Sequence, residues 1–245
     1  GLMFAPRVAL ASLSGESDAE WAEACARPAG AAFLGGIALD EPTREAARAM
    51  VDRDRDEFLP DDPVAFVDDQ LGELDDAFLR AGVNVRTTSL DPLRDVAAVC
   101  ADHDAMLEVN AHCRQDEMCD AGAGETLLRD TDRLCEQVRA ASDEGADVTV
   151  KVRAEVEDVH LPTLAKAVER AGATGVHVDA MDSRRVIRDV AEATDLFVVA
   201  NNGVRTREDV FEYFAYGADA VSVGRPSRDP ERVRSVYAAV KEWFL

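Results

Sequence analysis

Three residues with side chains suited to proton transfer or ligand binding follow one short apolar run. Asn110, His112 and Cys113 come directly after Met106–Val109, which the apolar pattern predicts to be a strand. In barrels built from repeated strand–helix units, the loops after the strands line one common mouth. An amide, a thiol and an imidazole at that mouth are candidate catalytic residues. The alternative is that Cys113 is an ordinary buried residue and His112 a solvated loop residue.

A lysine interrupts the next apolar run, Val148–Val152, although the chain has only three lysines against many arginines. A buried ammonium requires an anionic or polar partner. Lys151 therefore either forms an ion pair between layers of the protein or directs its charge at a ligand. Arg153 follows at the end of the same predicted strand.

Glycine turns follow the last two predicted strands. Asn201-Asn202-Gly203-Val204 comes after the seventh and Gly224-Arg225 after the eighth. Barrels commonly bind phosphate at this position, through backbone N–H groups and a nearby helix N-terminus. A tight turn alone would explain the Gly-Arg pair, but two such turns on adjacent strands favour a phosphorylated ligand. Ser12 and His177 also lie near predicted strand ends, although a lone core histidine is more often structural.

The elements that must position these residues alternate regularly along the chain. Continuous apolar runs are typical of parallel strands buried on both faces, and strict alternation with helices indicates a parallel sheet. Eight units favour a closed barrel, and no Gly-x-Gly-x-x-Gly follows the first strand. We predict an α/β protein with a single (β/α)8 TIM barrel over residues 3–245 and no second domain. Two of its helices are predicted to be long, Val64–Ala81 and Glu125–Ser142.

The cysteine pattern and the hydropathy limit the class of protein. The chain has five cysteines, an odd number with no Cys-x-x-Cys pair, which favours free thiols in a reducing compartment. No histidine stands at a metal-ligand spacing near Cys113 and Cys119, so we expect no metal site. No segment has the apolar length of a membrane span or the pattern of a signal peptide. We therefore expect a cytoplasmic protein without membrane contact.

The formal net charge is −22, with 49 acidic residues against 27 basic ones. Self-repulsion of this size destabilises a compact fold unless salt screens it. We interpret the acidic surface as that of a halophilic protein from a high-salt cytosol. The charge also disfavours simple electrostatic capture of nucleic acid, which uses a basic surface.

Six segments between Asn84 and Pro230 form a combined pattern. They are Asn110-x-x-Cys113, Ala123-Gly124-x-x-Leu127-Leu128-Arg129-Asp130, Val148–Arg153, Val176-His177, Ala200-Asn201-x-Gly203-Val204 and Gly217–Arg225. Taken together, these segments resemble the tRNA-dihydrouridine synthases, which are similar to dihydroorotate dehydrogenases.

The resemblance implies an FMN-dependent oxidoreductase with the flavin at the barrel mouth. Lys151 and His177 would contact the flavin rings, while the phosphate end would be held by Asn201, Gly203, Gly224 and Arg225. Ser12, Arg153 and Asn202 complete the expected cofactor-binding set. Cys113 would be the general acid that protonates a pyrimidine ring carbon, with Asn110 positioning the ring and His112 beside them.

Four residues in three segments depart from the family pattern. His112-Cys113-Arg114 replaces Gly-Cys-Pro, Arg86 replaces a glutamine that contacts flavin, and Asp179 replaces an arginine. We also expect the protein to lack the helical domain that grips tRNA in the family. We therefore expect the substrate to be either a small molecule or a tRNA uridine.

Two other functions are compatible with the same residues. One is a flavin-free barrel enzyme that binds a phosphorylated metabolite, and the other is a non-catalytic relative of the family. The oligomeric state stays open, a homo-oligomer included.

Overall fold

A computed structural model describes all residues, 1–245, and contains a closed barrel of eight parallel strands in sequence order. This confirms the predicted (β/α)8 fold. The eighth strand pairs with the first, where Ser222 lies opposite Ala9. The strands are β1 Val8–Leu10, β2 Ala31–Ala38, β3 Arg80–Arg86, β4 Met106–Asn110, β5 Asp147–Arg153, β6 Gly175–Asp179, β7 Phe197–Asn201 and β8 Ala220–Val223.

Helices surround the barrel and bury their apolar faces against the strands. Several begin at an acidic or hydroxyl N-cap, as at Asp62 and Thr206, whose side chains accept hydrogen bonds from the first turn. None of the helices combines the length and the apolar composition that crossing a bilayer requires. They are α1 Ala19–Glu23, α2 Glu41–Asp52, α3 Pro63–Glu73, α4 Leu90–Asp102, α5 Asp116–Asp120, α6 Thr131–Asp143, α7 Leu161–Ala171, α8 Val186–Ala193, α9 Arg207–Ala215 and α10 Pro230–Trp243.

The predicted long helix over Val64–Ala81 is wrong in its second half. Helix α3 ends at Glu73, and β3 begins at Arg80. The helical spacing continues past Glu73, but pairing of Arg80 and Ala81 with β2 forces this part of the chain to be extended. Phe78, which a continued helix would place on its apolar face, is 64% exposed and lies against the guanidinium of Arg27.

The predicted helix over Glu125–Ser142 is also divided. Gly124–Arg129 forms a 3₁₀ helix, and α6 starts at Thr131, where the side chain of Asp130 accepts a hydrogen bond from the backbone of Arg133. Gly124 has a φ of +62°, and a Cβ there would lie 2.4 Å from the carbonyl oxygen of Cys113. The segment therefore folds closely against the Cys113 loop.

The interior of the barrel changes from apolar to polar along its axis, because inward side chains recur every second residue of a strand. At the N-terminal end the interior contains a cluster of Met3, Phe4, Ala9, Ala31, Phe33, Met106, Phe197, Val199 and Ala220. The next layer is polar and buried, and consists of Asn84, Glu108, Thr149, His177 and Ser222. On each of these strands, the next inward-facing residue, two positions further along the chain, lies at the open C-terminal end of the barrel.

His103, just after α4, connects two helices outside the barrel. Its ring nitrogens bond to Asp68 at 2.7 Å and to Asp75 at 2.8 Å. The bonds to Asp68 and then Asp75 raise the pKa of His103, against a small opposing effect of burial. The protonated imidazole is thus favoured in the folded state.

A raised folded-state pKa means that His103 stabilises the protein below its unfolded pKa, and that this contribution is lost as pH rises through the folded pKa. We expect the urea midpoint of wild type to fall between about pH 6 and pH 9 by more than that of His103→Gln. Unfolding curves measured in constant salt check this. Equal pH dependence of the two proteins would contradict it.

Candidate active site

Two adjoining cavities open at the C-terminal end of the barrel. The larger has a volume of about 740 Å³ and the smaller about 190 Å³. Both are lined by Ser12, His112 and Lys151, so they form two parts of one site. Sites in this kind of barrel lie at this end because the loops after all eight strands meet there.

The larger cavity extends over the ends of β7 and β8. Gly203 has a φ of +71°, which favours glycine, and a Cβ at Gly224 would meet nothing within 4 Å, so backbone is accessible there. The exposed Arg205 and Arg225 also line this cavity, and neither forms an ion pair with a carboxylate. Accessible backbone and unpaired guanidinium groups suit an anionic group such as phosphate.

Lys151 lies where the two cavities meet and is 7% exposed. Burial lowers its pKa, while the charges of Glu108 and Asp179 oppose that shift. Neither carboxylate is close enough to form an ion pair with the ammonium, and no hydrogen bond from it is formed within the protein. The cation is therefore available to a ligand in either cavity.

The smaller cavity contains the thiol of Cys113, which is 8% exposed, beside Asn110. The Asn110 side-chain oxygen accepts hydrogen bonds from the backbone N–H groups of His112 at 3.0 Å and Cys113 at 2.9 Å. Its amide nitrogen donates to the side-chain oxygen of Asn84 at 3.0 Å. Asn110 thus shapes the loop that carries the thiol.

Asp179 connects the loop after β4 to the loop after β7. It accepts hydrogen bonds from His112 Nε2 at 2.7 Å and from Asn202 at 2.8 Å. Burial alone would raise the pKa of Asp179, but these bonds hold it well below its usual range. Burial lowers the pKa of His112 despite the bond to Asp179, so the ring is neutral near pH 7.

A buried polar chain crosses the barrel below the cavities, and the sequence analysis did not identify it. Glu108 accepts from Asn84 at 2.8 Å and Thr149 at 3.1 Å, and bonds to His177 Nδ1 at 2.9 Å. His177 Nε2 lies 2.7 Å from Ser222 Oγ, which accepts from Asn201 at 2.8 Å. The chain of hydrogen bonds therefore joins the Cys113 loop to the end of β7.

The charge states of this chain follow from its burial. Burial and the charge of Lys151 lower the pKa of His177 to about 4 although Glu108 opposes them, so the imidazole is neutral. Burial would raise the pKa of Glu108, but His177, Lys151 and Asn84 lower it. The sequence does contain a signal for Glu108. It is a charged residue inside an apolar strand, two positions before a residue that lines the cavities.

The structure brings most of the expected site residues to the cavities. The larger cavity is lined by Asn201, Asn202, Gly203, Gly224 and Arg225, and the smaller one by Asn110 and Cys113. Ser12, His112 and Lys151 line both cavities. Two of the expected residues lie elsewhere. His177 is fully buried beneath the site, and Arg153 forms a 2.8 Å ion pair with Glu125 outside either lining.

Fold and site together define a (β/α)8 barrel with a cavity lined by arginines and accessible backbone beside a cavity that contains a thiol. The family model described as dihydrouridine synthase (Dus) matches residues 81–243. The chain belongs to this family, and it is a flavin-dependent oxidoreductase whose cofactor is FMN.

Similar proteins include two named enzymes and one without an assigned function. An uncharacterized protein of Methanocaldococcus jannaschii is 26% identical, over 89% of this chain and 88% of its own. A tRNA-dihydrouridine synthase B of Xanthomonas campestris is 25% identical over 91% of this chain, which spans only 66% of that enzyme. A dihydroorotate dehydrogenase B (NAD(+)) catalytic subunit of Shouchella clausii is 24% identical, over 73% of this chain and 67% of its own.

Among solved structures, the FabK M276A mutant from Thermotoga maritima superposes with a TM-score of 0.53 at 18% identity. The match covers 90% of this chain and 62% of that one. At 18% identity, the similarity shows only that the two proteins share a fold.

Asn110→Ala removes the acceptor of two backbone hydrogen bonds in the Cys113 loop. We expect a loss of about 1–3 kcal/mol in the free energy of unfolding, measured with urea. We also expect faster alkylation of Cys113 by iodoacetamide, followed by peptide mass spectrometry, because the loop opens more often. Cys135, distant on α6, is the internal control. An unchanged rate at Cys113 would refute the role of Asn110 in holding the loop.

Proposed function

We propose that this protein catalyses reversible reduction of a pyrimidine-type C=C bond, with Cys113 as general acid. The observation that carries the proposal is the shared wall of the two cavities. The Cys113 thiol lines the smaller cavity, the end proposed to bind an anion lies in the larger one, and both cavities are lined by Lys151, Ser12 and His112. A flavin extending from that end and a ring beside Cys113 would meet there.

The residues of the larger cavity suit FMN. Its volume, about 740 Å³, is within the range of cofactor sites. Backbone at Gly203 and Gly224, with Arg205 and Arg225, would hold the phosphate. The unpaired ammonium of Lys151 would face the electron-rich edge of the flavin and stabilise negative charge there.

In the reductive direction, one carbon of the double bond would receive a hydride, which is the chemistry that reduced FMN would supply when held by Lys151 and the backbone at Gly203 and Gly224. The Cys113 thiol gives its proton to the other carbon, so the double bond becomes a single bond and each carbon gains one hydrogen. The resulting thiolate recovers a proton from solvent. Asn110 keeps the thiol in place through the backbone of its own loop.

A small pyrimidine-like molecule is the preferred substrate, with a tRNA uridine as the other candidate. The smaller cavity, about 190 Å³, would admit a single ring. The net charge of −22 would repel a polynucleotide. The similarity to a tRNA-dihydrouridine synthase B, of which this chain spans 66%, supports the tRNA alternative.

Lys151→Ala should weaken FMN binding, because it removes the cation between the cavities. Lys166→Ala is the matched control, since Lys166 is an exposed lysine of α7. The measurement is the flavin absorbance that co-elutes with each protein in high salt after loading with FMN. Equal occupancy in Lys151→Ala and wild type would contradict the assignment.

Cys113→Ala should retain bound FMN but slow oxidation of the reduced flavin by a pyrimidine substrate by about 10²–10⁴-fold, the usual contribution of a general acid. Stopped-flow absorbance of the pre-reduced protein measures this step. Cys135→Ala removes a distant thiol and should react like wild type. A Cys113→Ala rate equal to that of Cys135→Ala would exclude Cys113 as the acid.

A further inference from the structure

The smaller cavity is lined by cations and by no carboxylate. Four of its twelve lining residues are Arg55, Arg86, Arg114 and Lys151, and none is aspartate or glutamate. Because the chain has 49 acidic residues and 27 basic ones, a cavity lined at random would contain more carboxylates than cations. The charge of this cavity therefore differs in sign from that of the whole protein.

Two of the four cations have nearby carboxylates. Arg86 is buried and donates to Glu57 at 2.9 Å and to Ser14 at 3.0 Å. Lys151 faces the buried charges of Glu108 and Asp179. Arg86 is therefore compensated by its ion pair with Glu57, whereas the Lys151 ammonium forms no ion pair and is the cation assigned above to the flavin.

Arg55 and Arg114 are different, because both are exposed and neither forms an ion pair. Acidic residues are adjacent in sequence, as with Asp56 beside Arg55, yet they form no pair with either guanidinium. The neighbouring Arg53, by contrast, pairs with Glu117 at 2.7 Å and does not line the cavity. Of the three arginines that line this cavity, Arg55 and Arg114 are thus the two without a carboxylate partner.

We propose that the ring substrate carries a carboxylate, and that Arg55 and Arg114 bind this group at the rim of the smaller cavity. Arg114 directly follows Cys113, so the charged group and the proton donor would act on the same small molecule. Guanidinium groups bind carboxylates through paired N–H donors, which makes arginine more selective than a point charge. This inference rests on the proposed reduction of a pyrimidine-type bond.

A polynucleotide is the less favoured anion. Its phosphates would extend over the surface outside the cavity, where the protein's own excess of negative charge opposes them. A single carboxylate on a ring needs only the local field of two arginines. The ligand that fits this cavity is therefore a small conjugated carboxylate.

The test uses uracil, uracil-5-carboxylate and uracil-6-carboxylate as probes of FMN-loaded protein. Calorimetric titration at one fixed salt concentration gives a dissociation constant for each. We expect at least one carboxylate to bind about tenfold tighter than uracil or better, the usual strength of a charged hydrogen bond. Equal or weaker binding of both carboxylates relative to uracil would overturn the inference.

The variants Arg55→Gln and Arg114→Gln, made singly and combined, test whether these two arginines cause the tighter binding of the carboxylates. Each should weaken carboxylate binding about three- to tenfold while leaving uracil binding unchanged, because only the charge contact is lost. Arg139→Gln removes an exposed, unpaired arginine from α6 and is the matched control. If Arg139→Gln weakens carboxylate binding as much, the effect is general electrostatics and the inference fails.

Mixing pre-reduced protein with each probe separates this inference from the proposed function. Oxidation of the flavin by uracil or by a tRNA transcript, but by neither carboxylate, would overturn the inference and leave the proposed reduction standing. If no pyrimidine oxidises the flavin, the proposed reduction fails. In that case, carboxylate binding that depends on Arg55 and Arg114 would still support an anion-selective cavity. If the two arginines made no difference to carboxylate binding, the anion-selective cavity would be rejected as well.

Discussion

The arrangement of the site depends on one buried carboxylate, Glu108, in the middle of the barrel. Its oxygens meet Asn84, Thr149 and His177, which lie on three other strands. An unpaired charge in this position would be strongly destabilising, so the surrounding donors and Lys151 must remain in place. Through Asn84 and Asn110 the same carboxylate supports the Cys113 loop, and through His177 and Ser222 it supports the end of β7.

Above this layer, charge is divided between the two cavities. The larger cavity places arginines around accessible backbone at the ends of β7 and β8, where a phosphate group would bind. The smaller cavity keeps its cations beside the thiol and excludes carboxylates. Asp179 lines the larger cavity, and its hydrogen bonds to His112 and Asn202 hold the loops after β4 and β7 together. A highly acidic protein can thus present two local positive surfaces to small anionic ligands.

Much of this could be predicted from the sequence, because barrel geometry turns strand ends into a site. Asn201, Gly203 and Gly224 follow different strands, yet parallel pairing in a closed barrel brings them to one cavity. The expected helix over Val64–Ala81 failed because strand pairing at Arg80 outweighed helical spacing. His177 was expected at the flavin but lies one layer deeper in the barrel. Its depth is set by the register between β5 and β6, which the residue spacing within one strand does not define.

By itself, the sequence determined the alternation of strands and helices, the closed eight-unit barrel, the family and the identity of the residues at the strand ends. These follow from local hydropathy, glycine turns and motifs, which are properties of neighbouring residues. Only the tertiary structure decided which side chains meet. The contact of Glu108 with His177, the bond from His112 to Asp179 and the shared wall at Lys151 join strands and loops that are far apart in the chain. Such contacts depend on barrel register and loop closure, because the same strand pattern is compatible with several pairings of buried polar groups.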